Sequence, residues 1–135
     1  MMLDTNVVIA LLSGSETAGF YDRIARFKAK RDLFINEIIF AELSGRYRSW
    51  QDIAKVVDYA GLKVARLSLS HCHLAGVAFS AYRRDGGTRT TMLPDFLIGA
   101  HAAGEGWPLV TRDRRGFSKY FPEVELVDPM KVPND

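Results

Sequence analysis

The sequence predicts a three-layer α/β/α fold in which helices flank a five-stranded parallel sheet. Five short apolar runs alternate with longer segments whose apolar residues have helical spacing, and this alternation is typical of parallel sheets. The 135 residues, 47% of them hydrophobic, fit one domain with its own core. Four acidic residues stand at junctions between the predicted elements, where open parallel sheets bind ligands.

The chain begins with a short strand followed by two helices. Residues 1–3 form an apolar run. We expect Thr5 or Asn6 to cap the next helix, which Gly14 ends. In residues 16–30, apolar residues recur at spacings of three and four between basic residues, as in an amphipathic helix.

Two strand–helix units fill the middle of the chain. Residues 33–35 predict a strand, and Asn36 is placed to cap a helix that reaches about residue 47. A further helix is predicted over residues 49–59, with Gly61 as its C-terminal cap. Residues 62–67 then predict the third strand.

The last third of the chain carries two helices and two strands. A long helix is predicted over residues 70–84, and Pro94 suits the first turn of a helix over residues 95–103. The remaining predicted elements are a strand at 109–111, a short helix or turn at 114–120 and a strand at 124–127. We expect residues 1–131 to form a single domain and residues 132–135 to be a loose tail.

Composition limits the function classes. A net charge of +2 with 25% charged residues is ordinary, so any contact with nucleic acid must be local. The single cysteine, Cys72, excludes an internal disulfide and fits a reducing cytoplasm. No charged-then-apolar leader precedes the first strand, and no apolar run approaches the roughly twenty residues that cross a bilayer. We therefore expect a cytoplasmic protein that does not associate with membranes.

The four acids are Asp4, Glu42, Asp95 and Asp113. Asp4 and Asp113 directly follow apolar strands, and Glu42 and Asp95 fall on the apolar stripes of their helices. Each has an ordinary interpretation when taken alone: Asp4 and Asp113 as caps, Asp95 as an acid at a positive helix end, Glu42 as a solvated side chain. Four coincident placements favour one site instead.

Carboxylates within about 4–6 Å of one another repel, and a divalent cation removes that penalty. A ligand set of oxygen atoms, without histidine or cysteine, suits Mg²⁺ or Mn²⁺. Such a cation lowers the pKa of a water it binds and neutralises charge that develops on a phosphodiester. The four acids thus predict metal-assisted hydrolysis of a phosphate ester.

Four stretches in this order resemble PIN-domain ribonucleases, and within them the VapC-like toxins of type II toxin–antitoxin modules. The stretches are Leu-Asp-Thr-Asn-Val, the glutamate of Ala-Glu-Leu-Ser, Leu-Pro-Asp-Phe-Leu-Ile-Gly-Ala-His-Ala and Leu-Val-Thr-Arg-Asp. The resemblance implies a five-stranded parallel sheet, a metal site made by Asp4, Glu42, Asp95 and Asp113, and support from Asn6 and Thr111. It also implies an Mg²⁺- or Mn²⁺-dependent endoribonuclease that inhibits translation by cutting tRNA or rRNA. A small antitoxin and a homodimer are the implied partners.

The sequence departs from that family pattern near its last aspartate. Many relatives carry a further acid a few residues after this position, where this chain has Arg114, Arg115 and Gly116. A fifth acidic ligand is therefore not expected here, and a second metal would depend on the substrate phosphate.

Arginines cluster around two of the acids and are candidates for contacts with RNA phosphates. They are Arg83, Arg84, Arg89, Arg112 and Arg115. The ordinary interpretation of each is a solvated loop residue. The alternative function is a non-catalytic PIN-like module that binds RNA or protein. A zinc site at His71-Cys72-His73 is not expected, because consecutive helical residues point about 100° apart.

Overall fold

The computed structural model describes residues 1–131 and shows a five-stranded, entirely parallel sheet in the order β3-β2-β1-β4-β5. The strands are β1 (Met2–Leu3), β2 (Leu33–Ile35), β3 (Leu62–Val64), β4 (Leu109–Val110) and β5 (Leu126–Val127). The predicted fold class is confirmed. The expected tail at 132–135 lies outside the described residues.

Seven α-helices connect and flank the strands of the described region. They are α1 (Thr5–Ser13), α2 (Ala18–Lys30), α3 (Glu37–Leu43), α4 (Trp50–Tyr59), α5 (Leu69–Arg84), α6 (Pro94–Glu105) and α7 (Arg115–Ser118). The helix α3 ends earlier than predicted, because Ser44–Arg46 tighten into a 3-10 turn. The strand β3 also ends early: Ala65 N–H donates to Ile35 at 2.8 Å, and β2 offers no partner beyond that residue.

The structure corrects the predicted cap of α1. Asp4 is the capping residue, in place of Thr5 or Asn6, and its Oδ1 accepts a hydrogen bond from the Thr5 amide at 2.8 Å. Gly14 ends the helix as predicted, with a left-handed φ of 70° that suits glycine. One carboxylate of the predicted site thus also starts a helix.

Asn36 caps α3 as predicted and also ties that helix to α6. Its Oδ1 accepts hydrogen bonds from the amides of Ile38 and Ile39 at 3.0 and 3.1 Å. The amide nitrogen of the same side chain therefore faces His101 Nδ1, at 3.2 Å. Both Asn36 and His101 are buried, so their polar groups satisfy each other.

The strand β1 is short but central. Met2 pairs with Phe34 of β2 on one side and with Leu109 of β4 on the other. The ladder continues one residue past the strand, since the Asp4 amide donates to Val110 at 2.9 Å. Successive strands run outward from β1 in both directions, so the chain reverses its strand order between β1 and β4. Ligands bind at this position in open parallel sheets.

Within residues 1–131, the buried apolar side chains of strands and helices form one hydrophobic core. Its fully buried large side chains include Phe20, Phe117, Met2, Leu3, Leu33, Ile35, Ile39, Leu43, Ile53, Ile98 and Leu109. Burying each such side chain contributes about 1.5–3 kcal/mol before the entropy of ordering is counted. Within residues 1–131, none of the helices combines the length and the apolar character that a bilayer crossing needs.

Candidate metal centre

Asp4 lies at the carboxyl end of β1 and is 5% exposed. The register pairs Leu3 with Val110, which places Asp4 beside Thr111. Thr111 Oγ1 donates a hydrogen bond to Asp4 Oδ2 at 2.9 Å, while Asp4 Oδ1 accepts from the Thr5 amide. Both carboxylate oxygens of a buried acid are therefore held in place.

Thr111 connects Asp4 to Asp113. Its hydroxyl oxygen accepts a hydrogen bond from the Asp113 amide at 3.0 Å while its proton goes to Asp4. The exposed Asp113 carboxylate accepts from the amides of Arg115 at 3.1 Å and Gly116 at 3.4 Å. The loop between β4 and α7 thus fixes its acid through its own backbone. Thr111, which the sequence predicts to support the site, therefore forms hydrogen bonds with the Asp4 carboxylate and with the Asp113 backbone amide.

Glu42 reaches the same region from α3, where its residue is exposed. Thr5 Oγ1 donates a 2.7 Å hydrogen bond to Glu42 Oε1. Asn6, the other predicted supporting residue, is exposed, and no hydrogen bond within residues 1–131 joins its side chain to the four acids. Sequence reasoning missed Thr5, although Thr5 lies three residues before Val8 on the buried face of α1.

Asp95 lies in the first turn of α6 and is half-buried. Its carboxylate accepts no hydrogen bond from residues 1–131. Burial is the main cause that raises its pKa to about 6, and the charges of Asp4, Glu42 and Asp113 contribute in the same direction. The structure thus brings the four sequence-predicted acids into one electrostatic cluster.

Asp4 is also a carboxylate in a buried position among like charges. Burial raises its pKa, and Glu42 and Asp113 add to that effect. The hydrogen bonds from Thr111 and Thr5 act in the opposite direction by stabilising the charged form. A buried carboxylate among like charges is costly unless a cation compensates it.

The acidic set fits a hard divalent cation. It offers carboxylate oxygens from two helices, α3 and α6, and from the residues that follow β1 and β4 at the switch in strand order. One of them, Asp95, has no hydrogen-bond donor of its own within residues 1–131 and faces three like charges. Oxygen ligands of this kind suit Mg²⁺ or Mn²⁺ better than zinc or copper.

The sequence profile of the PIN domain family matches residues 1–121 of this chain. The chain belongs to the PIN domain family. Its fold is similar to that in a DNA-bound VapBC structure from Salmonella typhimurium, with a TM-score of 0.74, 24% identity and coverage of 95% of this chain and 96% of that one. No match was found among curated proteins.

Two further VapBC structures resemble this PIN domain. VapBC2 from Rickettsia felis, bound to a promoter DNA fragment, has a TM-score of 0.71 and 22% identity over 93% of this chain and 95% of that one. VapBC-1 from nontypeable Haemophilus influenzae has a TM-score of 0.73 and 19% identity over 96% of this chain and 98% of that one. At these identities the likeness shows a shared fold across nearly the full length.

The five arginines that the sequence predicts to contact RNA divide into two groups. Arg83 Nη1 donates to the carbonyls of Gly87 at 2.8 Å and Arg89 at 2.9 Å, and so folds the loop after α5. Arg112 Nη2 lies 3.1 Å from Glu16 Oε2 in an ion pair. Among the five, the guanidinium groups of Arg84, Arg89 and Arg115 form no hydrogen bond or ion pair within residues 1–131.

Within residues 1–131, one group of three potential metal ligands has ligand atoms that all lie within 4.8 Å of one another. This group does not include any of the four acids. The group is His71, His101 and Glu105. Both Nδ1 atoms face donors, because His71 accepts from the Ser68 amide at 3.0 Å and His101 accepts from the Asn36 amide. Each neutral ring then carries its hydrogen on Nε2, and His71 Nε2 lies 3.0 Å from Glu105 Oε1.

This second group is a hydrogen-bonded network rather than a metal site. A histidine that binds a metal through one ring nitrogen normally donates a hydrogen bond from the other. Here the ring nitrogen that would have to donate is Nδ1, and in both histidines Nδ1 accepts a hydrogen bond instead. Burial lowers the pKa of His101, and the nearby His71 acts in the same direction, which keeps the ring neutral. His71 is buried whereas Cys72 and His73 are exposed, so the three consecutive side chains lie in different surroundings.

Proposed function

We propose that this PIN domain is a Mg²⁺- or Mn²⁺-dependent endoribonuclease, acting in the cytoplasm as the toxin of a type II toxin–antitoxin pair. Its substrate is tRNA or rRNA, and cleavage inhibits translation. The observation that carries the proposal is the placement of four carboxylates near the switch in strand order, where burial and the charges of the other three raise the pKa of Asp95 to about 6. Family membership and the fold of the VapBC structures support it.

In this proposal Asp4, Glu42, Asp95 and Asp113 hold the cation. When bound, the cation would supply an activated water and neutralise charge on the phosphodiester. Asp4 accepts two hydrogen bonds and is suited to a fixed ligand position. Asp95 accepts none within residues 1–131, so its carboxylate retains lone pairs that can orient or deprotonate a water.

Substrate contacts are assigned to Arg84, Arg89 and Arg115. Their guanidinium groups have no partner within residues 1–131, and all three residues are exposed. Arginine pairs well with phosphate oxygens but does not read sequence through them. Binding by these residues would hold RNA of many sequences near the acids.

A small antitoxin and a homodimer are the proposed partners. The three structures compared above are all of VapBC, which supports the antitoxin. Several large apolar side chains are exposed: Trp50 at 66%, Tyr59 at 93%, Leu69 at 89% and Val77 at 53%. Exposed apolar patches are common where proteins bind one another.

The function is tested by incubating the purified protein with total RNA, with and without Mg²⁺ or Mn²⁺, and mapping the new ends. We expect discrete cleavage that needs the metal and is abolished in Asp4→Asn. The exposed Asp22 of α2 provides a matched control, and Asp22→Asn is expected to cleave like the wild type.

Isothermal titration with MnCl₂ separates the enzyme from the non-catalytic alternative. The enzyme requires Mn²⁺ binding that Asp4→Asn weakens or abolishes. RNA binding without cleavage, together with no detectable Mn²⁺ binding, would identify a binding module and overturn the proposed activity. A short antitoxin-like reading frame beside the gene would support the toxin role.

A further inference from the structure

Gly116 lies at the start of α7, directly between two of the four acids. A Cβ atom built on Gly116 would lie 3.1 Å from Asp95 Oδ2 and 3.4 Å from Asp113 Oδ2. These two oxygens belong to different elements, α6 and the loop after β4. Both therefore face the one place where a side chain at Gly116 would begin.

The backbone does not explain the glycine. Positive φ values among the described glycines occur at Gly14, Gly61, Gly86 and Gly106, and Gly116 is not one of them. An L-residue could adopt the conformation found here. The feature that distinguishes Gly116 is the space that its missing side chain leaves beside two carboxylates.

We propose that Gly116 sets the size of the cation site, leaving room between Asp95 and Asp113 for the ion and the water it carries. The inference rests on the proposed function. Two facing carboxylate oxygens with little else to neutralise them are a favourable place for a divalent ion. A methyl group at this point would occupy the same space and bring no ligand.

The chemistry predicts different outcomes for two substitutions. Gly116→Ala adds the Cβ without a charge, so it should weaken Mn²⁺ binding by about tenfold or more, the size of effect seen when groups around a metal are disturbed. Gly116→Asp adds the same Cβ together with two ligand oxygens. It should therefore bind Mn²⁺ more tightly than Gly116→Ala.

The matched control is Gly76 of α5. A Cβ at Gly76 would meet nothing within 4 Å, so Gly76→Ala is expected to bind Mn²⁺ like the wild type. A second readout is ion size, because Ca²⁺ takes longer bonds, about 2.3–2.6 Å, than Mg²⁺ at about 2.0–2.1 Å. Gly116→Ala should lose more affinity for Ca²⁺ than for Mg²⁺.

The test is titration calorimetry of the four proteins with each ion, together with thermal unfolding in a chelator. Gly116→Ala is expected to unfold within a few degrees of the wild type in the chelator. Equal Mn²⁺ affinity in Gly116→Ala and the wild type would overturn the role of Gly116 while leaving the proposed function intact. Unfolding of Gly116→Ala in the chelator would show that the space serves folding, and would also overturn it. A wild type that binds no Mn²⁺ would overturn both.

Discussion

The hydroxyl of Thr5 lies 2.7 Å from Glu42 Oε1 and donates a hydrogen bond that joins α1 to α3. Thr111 makes the equivalent contact to Asp4 from the end of β4. Each of the two threonine hydroxyls therefore donates a hydrogen bond to a different acid. The site depends on hydroxyl groups as well as on the carboxylates that they orient.

Thr5→Val should reduce Mn²⁺ affinity and RNA cleavage by about tenfold, because Glu42 loses the donor that orients it. Valine keeps the shape of threonine and removes only the hydroxyl. Thr5→Ser restores the donor and is expected to recover most of the affinity. A Thr5→Val protein with wild-type Mn²⁺ affinity would show that this hydrogen bond does not position Glu42 for metal.

The raised pKa of Asp95 makes the stability of the metal-free protein depend on pH. The folded pKa of about 6 lies above the usual 3.8, so the folded state binds the proton more tightly than the unfolded chain. The contribution of Asp95 to the free energy of unfolding is therefore greatest at low pH, and it is lost as the pH rises from the unfolded pKa of 3.8 through the folded pKa of about 6. In chelator, the melting temperature should fall between about pH 5 and about pH 7.5.

Asp95→Asn removes the part of this pH dependence that Asp95 contributes, because the amide does not titrate. Its melting temperature should exceed that of the wild type at about pH 7.5, and the gap should shrink at about pH 5. Mg²⁺ should stabilise the wild type at neutral pH more than it stabilises Asp95→Asn. Identical pH dependence in the two proteins would place the titrating group elsewhere.

Asn36→Ala should destabilise the fold more than loss of an ordinary helix cap. It removes two cap bonds to α3 and leaves the buried His101 Nδ1 without its donor. We expect a loss of about 2–4 kcal/mol in the free energy of unfolding, measured by urea denaturation. Ser49→Ala, which removes an exposed cap of α4, is the control and should cost about 1 kcal/mol.

The salt dependence of RNA binding should distinguish the arginines that contact phosphate from those that stabilise the fold. Replacing Arg84, Arg89 or Arg115 by Ala should weaken binding and lower the slope of log affinity against log salt by roughly 0.7 for each phosphate that is no longer neutralised. Arg112→Ala should instead act through the ion pair to Glu16 and lower stability. Filter binding to a catalytically inactive Asp4→Asn protein over a salt series measures the difference. An unchanged slope in all three variants would remove these residues from the RNA surface.

The order of elements follows from local pattern, because apolar runs and helical periodicity are encoded over a few residues. The strand ends do not. The strand β3 stops at Val64 because β2 gives it no partner after Ile35, and β2 is distant from β3 in sequence. Position in the sheet likewise places Asp4 beside Thr111, which no local pattern contains.

The four acids stand out in the sequence because each falls at an element junction or on an apolar stripe, and the structure buries Asp4 and half-buries Asp95. Their supports were harder to predict. The hydroxyl of Thr5 acts across 37 positions of sequence on Glu42, whereas Asn6, the more obvious polar neighbour of Asp4, is exposed. The arginines show the same limit, since only the fold reveals that Arg83 binds its own loop.

The central position of β1 has a consequence for local motion. The Asp4 amide donates to Val110 in the middle of the sheet, where the structure has packed strands on both sides. Amide hydrogens in such positions exchange with solvent only when the whole domain opens. The backbone amide hydrogen of Asp4 should therefore be among the slowest to exchange, and its exchange rate should report the free energy of global unfolding. Asp113 lies in an exposed loop, so its amide should exchange faster than that of Asp4.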